Sequence, residues 1–155
     1  ASHRSDVATA LLEAGALVLV LGLGGPKESK AEEAHELVHD DSNEIEEIPI
    51  LEDEMYQNMQ TGQVWVWGLS VYAQVKKKNV EFVQGVLEQR SAEIREGMSQ
   101  IVGRAQHAQL KEPDRQTLNR QFTALLEKIV KPDEDGKPRI ERLLIPKCTG
   151  YPADF

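Results

Sequence analysis

The chain has one cysteine, Cys148, among its 155 residues. A single thiol excludes an intrachain disulfide and any zinc site built from several cysteines. The chain is also short of base: 18 Lys and Arg stand against 26 Asp and Glu, a formal charge of −8. Bulk electrostatic binding of nucleic acid needs a basic face, and the run Lys76-Lys77-Lys78 is too small to make one. Phosphate-loop signatures are missing as well. Residues 22–25 read GLGG, with neither a G-x-G-x-x-G frame nor a G-K-[ST] ending. No triad stands out, and Cys148 has no histidine near it in sequence. What remains is a composition of 40% hydrophobic and 28% charged residues, ordinary for one folded soluble domain.

The acid that is present is concentrated. Residues 27–54 hold twelve acids and two bases, a net charge of −10, which leaves the other 127 residues at +2. The charge divides the chain into an apolar head (1–26), an acidic linker (27–44) and a near-neutral body (45–155). The head contains VATALLEAGALVLVLGLGG over residues 7–25. Nineteen helical residues span about 28 Å, enough for a hydrocarbon core. Glu13 opposes this, since a carboxylate at mid-membrane costs roughly 2.5–3.5 kcal/mol. A membrane anchor is the leading expectation. A signal-peptide remnant with 16–23 as its apolar region and a buried helix of a soluble fold are the alternatives. The linker reads as a solvated spacer extended by like-charge repulsion.

Within that linker lies His35-Glu36-Leu37-Val38-His39, an H-E-x-x-H motif. On a helix the two histidines share a face and can bind zinc, with Glu36 as base. The setting is poor for a peptidase: Asp40-Asp41 follow where such a helix continues apolar, and no third ligand follows at helical spacing. A small zinc-dependent peptidase is therefore the alternative function, and no catalytic, cofactor or metal residue is assigned.

The body reads strand–strand–helix–helix–strand. Residues 45–51 (IEEIPIL) form a short strand, with Pro49 placing it at an edge; 52–62 read as a loop. Over 63–75 Trp65, Trp67, Leu69, Val71, Ala73 and Val75 alternate with a second face of Val64, Val66, Gly68, Ser70, Tyr72 and Gln74. That is the period of a strand on a core, and the two tryptophans read as core anchors. Asn79 caps one long helix carried by Val83, Val86, Leu87, Ile94, Met98, Ile101, Val102 and Ala105. Residues 106–111 break it, with His107 as a loop residue. Pro113 opens a second helix with Leu118, Phe122, Leu125, Leu126, Ile129 and Val130 inward. Residues 138–146 form the last strand, and 147–155 trail off. The expected fold is α+β: a small antiparallel or mixed sheet covered by two helices, preceded by the apolar helix.

This layout resembles the flagellar basal-body-associated FliL family. The motifs that carry the resemblance are the central strand QVWVWGLSVYAQV, the helix centre AEIREGMSQIV (92–102), the segment LKEPDRQTL (110–118) and the strand IERLLIP (140–146) leading to Phe155. The resemblance covers residues 45–155, and the head and linker in layout only. It departs at Glu13, at the absence of a basic tail and in the longer segment after Ile145. It implies a stomatin-like domain held in the periplasm by one inner-membrane span at 7–25. It also implies a non-enzymatic protein that forms rings or other homo-oligomers and associates with the flagellar motor stator or another membrane protein. Self-contacts would use the sheet edge or the charges of the long helix (Arg90, Glu93, Arg95, Glu96, Arg104).

Overall fold

A computed structural model describes residues 40–154. The apolar segment 7–25 and the His35-Glu36-His39 motif lie outside the described residues. So does the acidic linker up to residue 39. Within the described residues no helix is long and apolar enough to cross a membrane.

A 3-10 turn (Asp41–Asn43) leads into β1 (Ile45–Asn58), β2 (Trp65–Lys76), α1 (Lys77–Gln89), α2 (Ser91–Arg104), the short α3 (His107–Leu110), α4 (Gln116–Ile129) and β3 (Ile140–Pro152). The three strands make an antiparallel sheet in the order β1-β2-β3. The α+β expectation holds, and the sheet is antiparallel throughout. Its covering layer holds three main helices where the sequence suggests two.

The alternation along β2 decides which face the helices occupy. Trp67, Leu69, Val71, Ala73 and Val75 are all at most 3% exposed. Val83 and Leu87 of α1, Ile94, Met98 and Val102 of α2, and Leu118, Phe122, Leu126 and Ile129 of α4 close over them. Ile48, Leu51 and Tyr56 of β1 and Leu143, Ile145 and Cys148 of β3 complete the same core. Each fully buried side chain of this size contributes about 1.5–3 kcal/mol relative to an exposed one, so this single cluster drives the fold.

Several boundaries differ from the sequence reading, among them the last helix, which begins at Gln116 rather than at Pro113, and the expected 106–111 break, where His107 opens a short helix rather than lying in a loop. The polar stretch expected as a loop after residue 51 is strand: Glu54 pairs with Leu69, Met55 with Gly68 and Asn58 with Trp65. Residues 147–152, expected to trail off, pair with β2 from Lys147↔Ser70 to Pro152↔Trp65. The expected single long helix is two, parted at Arg90 (φ −113°, ψ 25°). Leu87 and Ile94 are seven residues apart, so the apolar stripe stays in phase across the break and does not betray it. Finally, α1 begins at Lys77, and Asn79 is buried in its first turn rather than capping it.

The start of α4 is held from outside. Arg115 sits at its N-cap in the left-handed region (φ 53°) and offers no side-chain cap. Glu112 supplies one: its carboxylate accepts the Thr117 backbone N–H at 3.0 Å and the Thr117 hydroxyl at 2.7 Å. These bonds, the backbone one first, hold Glu112 below its ordinary value of 4.5. Asp133 is lowered likewise, chiefly by the Lys137 backbone N–H at 2.8 Å and further by that of Asp135. Both carboxyls bind protons less readily folded than unfolded. Their stabilisation is therefore complete above the ordinary carboxylate range and is lost as pH falls through the lowered folded values. The urea midpoint is expected to drop on acidification below pH 4.5, and to drop less steeply in the Glu112→Gln/Asp133→Asn variant. Equal slopes for the two proteins would refute this assignment.

Candidate interaction surface

The face of β2 opposite the helices carries Val66, Gly68, Ser70, Tyr72 and Gln74. Glycine at 68 lets a neighbour lie flat: a Cβ there would come within 3.2 Å of Met55 Sδ and 3.8 Å of Thr149. Met55 and Tyr151, on strands either side, remain 50% and 53% exposed. One end of this face is thus an apolar ledge of Met55, Val66 and Tyr151.

Its other end is a polar network set up by an irregularity in β1. The register shifts between Leu51 and Glu54, and Asp53 takes up a left-handed φ of 52°. Asp adopts this conformation more readily than most residues, because its short side chain bonds locally. The Asp53 backbone N–H donates to Ser70 Oγ at 3.1 Å, and its carboxylate accepts from Lys147 Nζ at 2.6 Å. Beside it the Tyr72 hydroxyl donates to Glu52 at 3.0 Å, which raises the tyrosine above its ordinary 10.0. Gln74 donates to Glu47 at 3.2 Å. Sequence alone offers no sign of this cluster, since Asp53 reaches it only through the bulge.

Among the described residues the two outer strands each leave one edge without a partner strand, and their charges differ. β1 carries Glu46, Glu47, Glu52, Asp53 and Glu54 and no base; β3 carries Arg142 and Lys147 against Glu141. The β3 edge is partly used already, since Asn119 Nδ2 donates to the Leu143 carbonyl at 2.9 Å.

The α2 charges expected to make contacts are divided by the fold. Arg90 grips Glu93 through two bonds of 2.7 Å and donates to the Ile129 carbonyl at 3.3 Å, tying the start of α2 to the end of α4. Arg95 pairs with Glu54 of β1 at 3.2 Å. Exposed pairs of this kind are worth at most about 1 kcal/mol, but these fix helices to neighbours and are not free for a partner. Glu96 and Arg104 remain exposed and outside any ion pair among the described residues.

The other residues singled out from sequence are structural. Trp67 is buried and Trp65 half-buried, with ring centroids 6.1 Å apart. His107 opens α3 and meets both rings edge-on, at 4.5 and 5.5 Å, and Lys111 lies 5.5 Å over Trp65. This stack closes one end of the core. Cys148 is 7% exposed, its Sγ 3.6 Å from the Leu110 carbonyl, and burial pushes its thiol up, away from the thiolate a nucleophile requires. Burial first, then nearby Glu54, pushes Tyr56 up to about 12 against the pull of Arg95. No group of three or more metal-ligating side chains occurs among the described residues.

No protein-family model matches the chain, and no curated protein is similar enough to count as a match.

Proposed function

We propose that the chain is a non-enzymatic structural protein of the FliL type. It is anchored in the bacterial inner membrane by residues 7–25, with its α+β domain in the periplasm. It assembles with copies of itself and associates with the flagellar motor stator. The element order, two strands, three main helices with one short helix among them, then a strand, supports the resemblance on which the motor role rests. Support for assembly comes from one observation: the sheet has two outer edges of unlike charge, acidic on β1 and more basic on β3. Unlike edges suit a head-to-tail contact, which closes into a ring or runs on as a filament. Backbone N–H and C=O groups along the edges, which no strand of the described residues pairs, supply its hydrogen bonds.

The test uses the full chain in detergent, with mass measured by light scattering across a range of concentration and salt. A defined oligomer is expected, weakened by salt and by Glu46→Lys/Glu47→Lys on β1. A chain that stays monomeric at high concentration refutes the assembly reading. Release from membranes on washing with alkaline carbonate refutes the anchor. Failure to co-purify with stator subunits from membranes that contain them refutes the motor role.

A further inference from the structure

A groove lies away from the sheet, on the outer side of the helical layer. It has a volume of about 430 Å³ and runs between α2 and α4. These helices run antiparallel, since Arg90 before α2 bonds to Ile129 at the end of α4. Each contributes one stripe at helical spacing. From α2 come Gly97, Gln100, Ile101 and Arg104; from α4 come Gln121, Ala124, Leu125 and Lys128. The two stripes are alike: a small residue, a glutamine, one branched apolar residue and a cation.

Gly97 is what lets the walls approach, because a Cβ there would meet Leu125 at 2.8 Å. Ile101 and Leu125 are half-buried and form the floor with Ala105. Arg104 and Lys128 are exposed, and neither is in an ion pair among the described residues. No carboxylate lines the groove. It is thus an apolar-floored channel with a cation towards each end, on a protein whose total charge is −8.

We infer that this groove binds an acidic amphipathic helix of a partner protein. Gly97 and Leu125 lie side by side. Arg104 is seven residues from Gly97 in one direction, and Lys128 is three residues from Leu125 in the other. At 1.5 Å per residue the cations are about 15 Å apart along the groove. A helix laid in it meets both if it carries carboxylates about three turns apart, at i and i+11, on the edge of an apolar stripe. Small and aliphatic residues between them fit the channel floor, the helix-in-groove mode of recognition. Charge complementarity fixes the occupant: a basic helix would face Arg104 and Lys128 with nothing to offset them. This site is separate from the sheet edges, so it stands or falls independently of the assembly reading.

The test uses the full chain and two synthetic helical peptides. One carries Glu at i and i+11 beside an Ala/Leu stripe; the other carries Lys at the same places. Binding is read by fluorescence anisotropy and by amide shifts at Gly97 and Ala124. The acidic helix is expected to bind and to move those amides. Arg104→Glu/Lys128→Glu alters only exposed side chains, so the fold is retained. It is expected to weaken the acidic helix about tenfold and to admit the basic one. Equal binding of both peptides, affinity indifferent to the double reversal, or no binding at millimolar peptide overturns the inference. So does a shift at Gly97 that grows with protein concentration in the absence of peptide, which would assign the groove to a second copy of the chain.

Discussion

Replacing Gly150 with alanine is expected to lower folding stability by about 3 kcal/mol, at the upper end of what overpacking costs. Gly150 pairs with Trp67 across β2 and β3, and the indole lies directly over it. A Cβ at this position would stand 2.5–2.7 Å from three ring atoms. The ring has nowhere to go: Trp67 is 3% exposed, stacks with Trp65 and meets His107 edge-on. The strand itself is held by pairing on either side, Thr149 with Gly68 and Tyr151 with Val66. Equilibrium urea unfolding measures the effect, and an unchanged midpoint would refute the packing argument. A smaller ring partner should relieve the clash, so Gly150→Ala is expected to cost much less in a Trp67→Leu background, a coupling of about 1 kcal/mol or more. Gly85→Ala is the control. A Cβ there meets nothing within 4 Å in the exposed part of α1, and the substitution is expected to stabilise by up to about 1 kcal/mol through helix propensity.

Asn58→Ala carries the other large effect, also about 3 kcal/mol. Asn58 is 1% exposed at the end of β1. Its Nδ2 donates to the Val102 carbonyl at 2.7 Å and to that of Ala105 at 2.9 Å, and its Oδ1 accepts the Gln60 backbone N–H at 3.0 Å. The Val102 carbonyl otherwise accepts only the Ala105 backbone N–H, at 3.3 Å, and the Ala105 carbonyl lies just past the end of α2; this one amide serves both. Removing it loses about 1 kcal/mol per bond and takes the short-range donor from two buried acceptors, at about 1–3 kcal/mol more. Asn58→Asp separates shape from hydrogen bonding. Its carboxylate would face those carbonyls with no proton to give, so it is expected to be worse than Asn58→Ala at neutral pH. Acidification protonates the new carboxyl, restores one donor and should recover part of the loss. A pH-independent deficit would show that Asn58 fills space rather than satisfying α2.

The parts of this fold that were legible in sequence are those that report burial. The period of two along β2 and the 3.6-residue stripe of α4 find the inward residues, because water excludes apolar side chains wherever the backbone runs; only Leu125 of that stripe, half-buried, turns instead to the outer groove. The strand in 52–58 was not legible, since Glu52, Asp53 and Glu54 lie on an outer strand and need no apolar alternation. Nor was the far end of β3, where Lys147, Thr149 and Gly150 are strand only because β2 offers them partners. The candidate surfaces were less visible still. The α2 charges are plain in the sequence, but the sequence does not say that Arg90 and Arg95 are already engaged while Arg104 is in no ion pair among the described residues.

The amino-acid order by itself determined the class of fold, the concentration of net negative charge in residues 27–54 and the identity of most of the core. It did so because hydrophobic burial and charge are properties of each residue in turn. The tertiary structure alone decided the break at Arg90, the register shift that brings Asp53 to Ser70 and Lys147, and the pairing of two helical stripes into one groove. Those depend on which backbone groups and side chains meet across long separations in sequence, and such meetings leave no periodic trace in the chain.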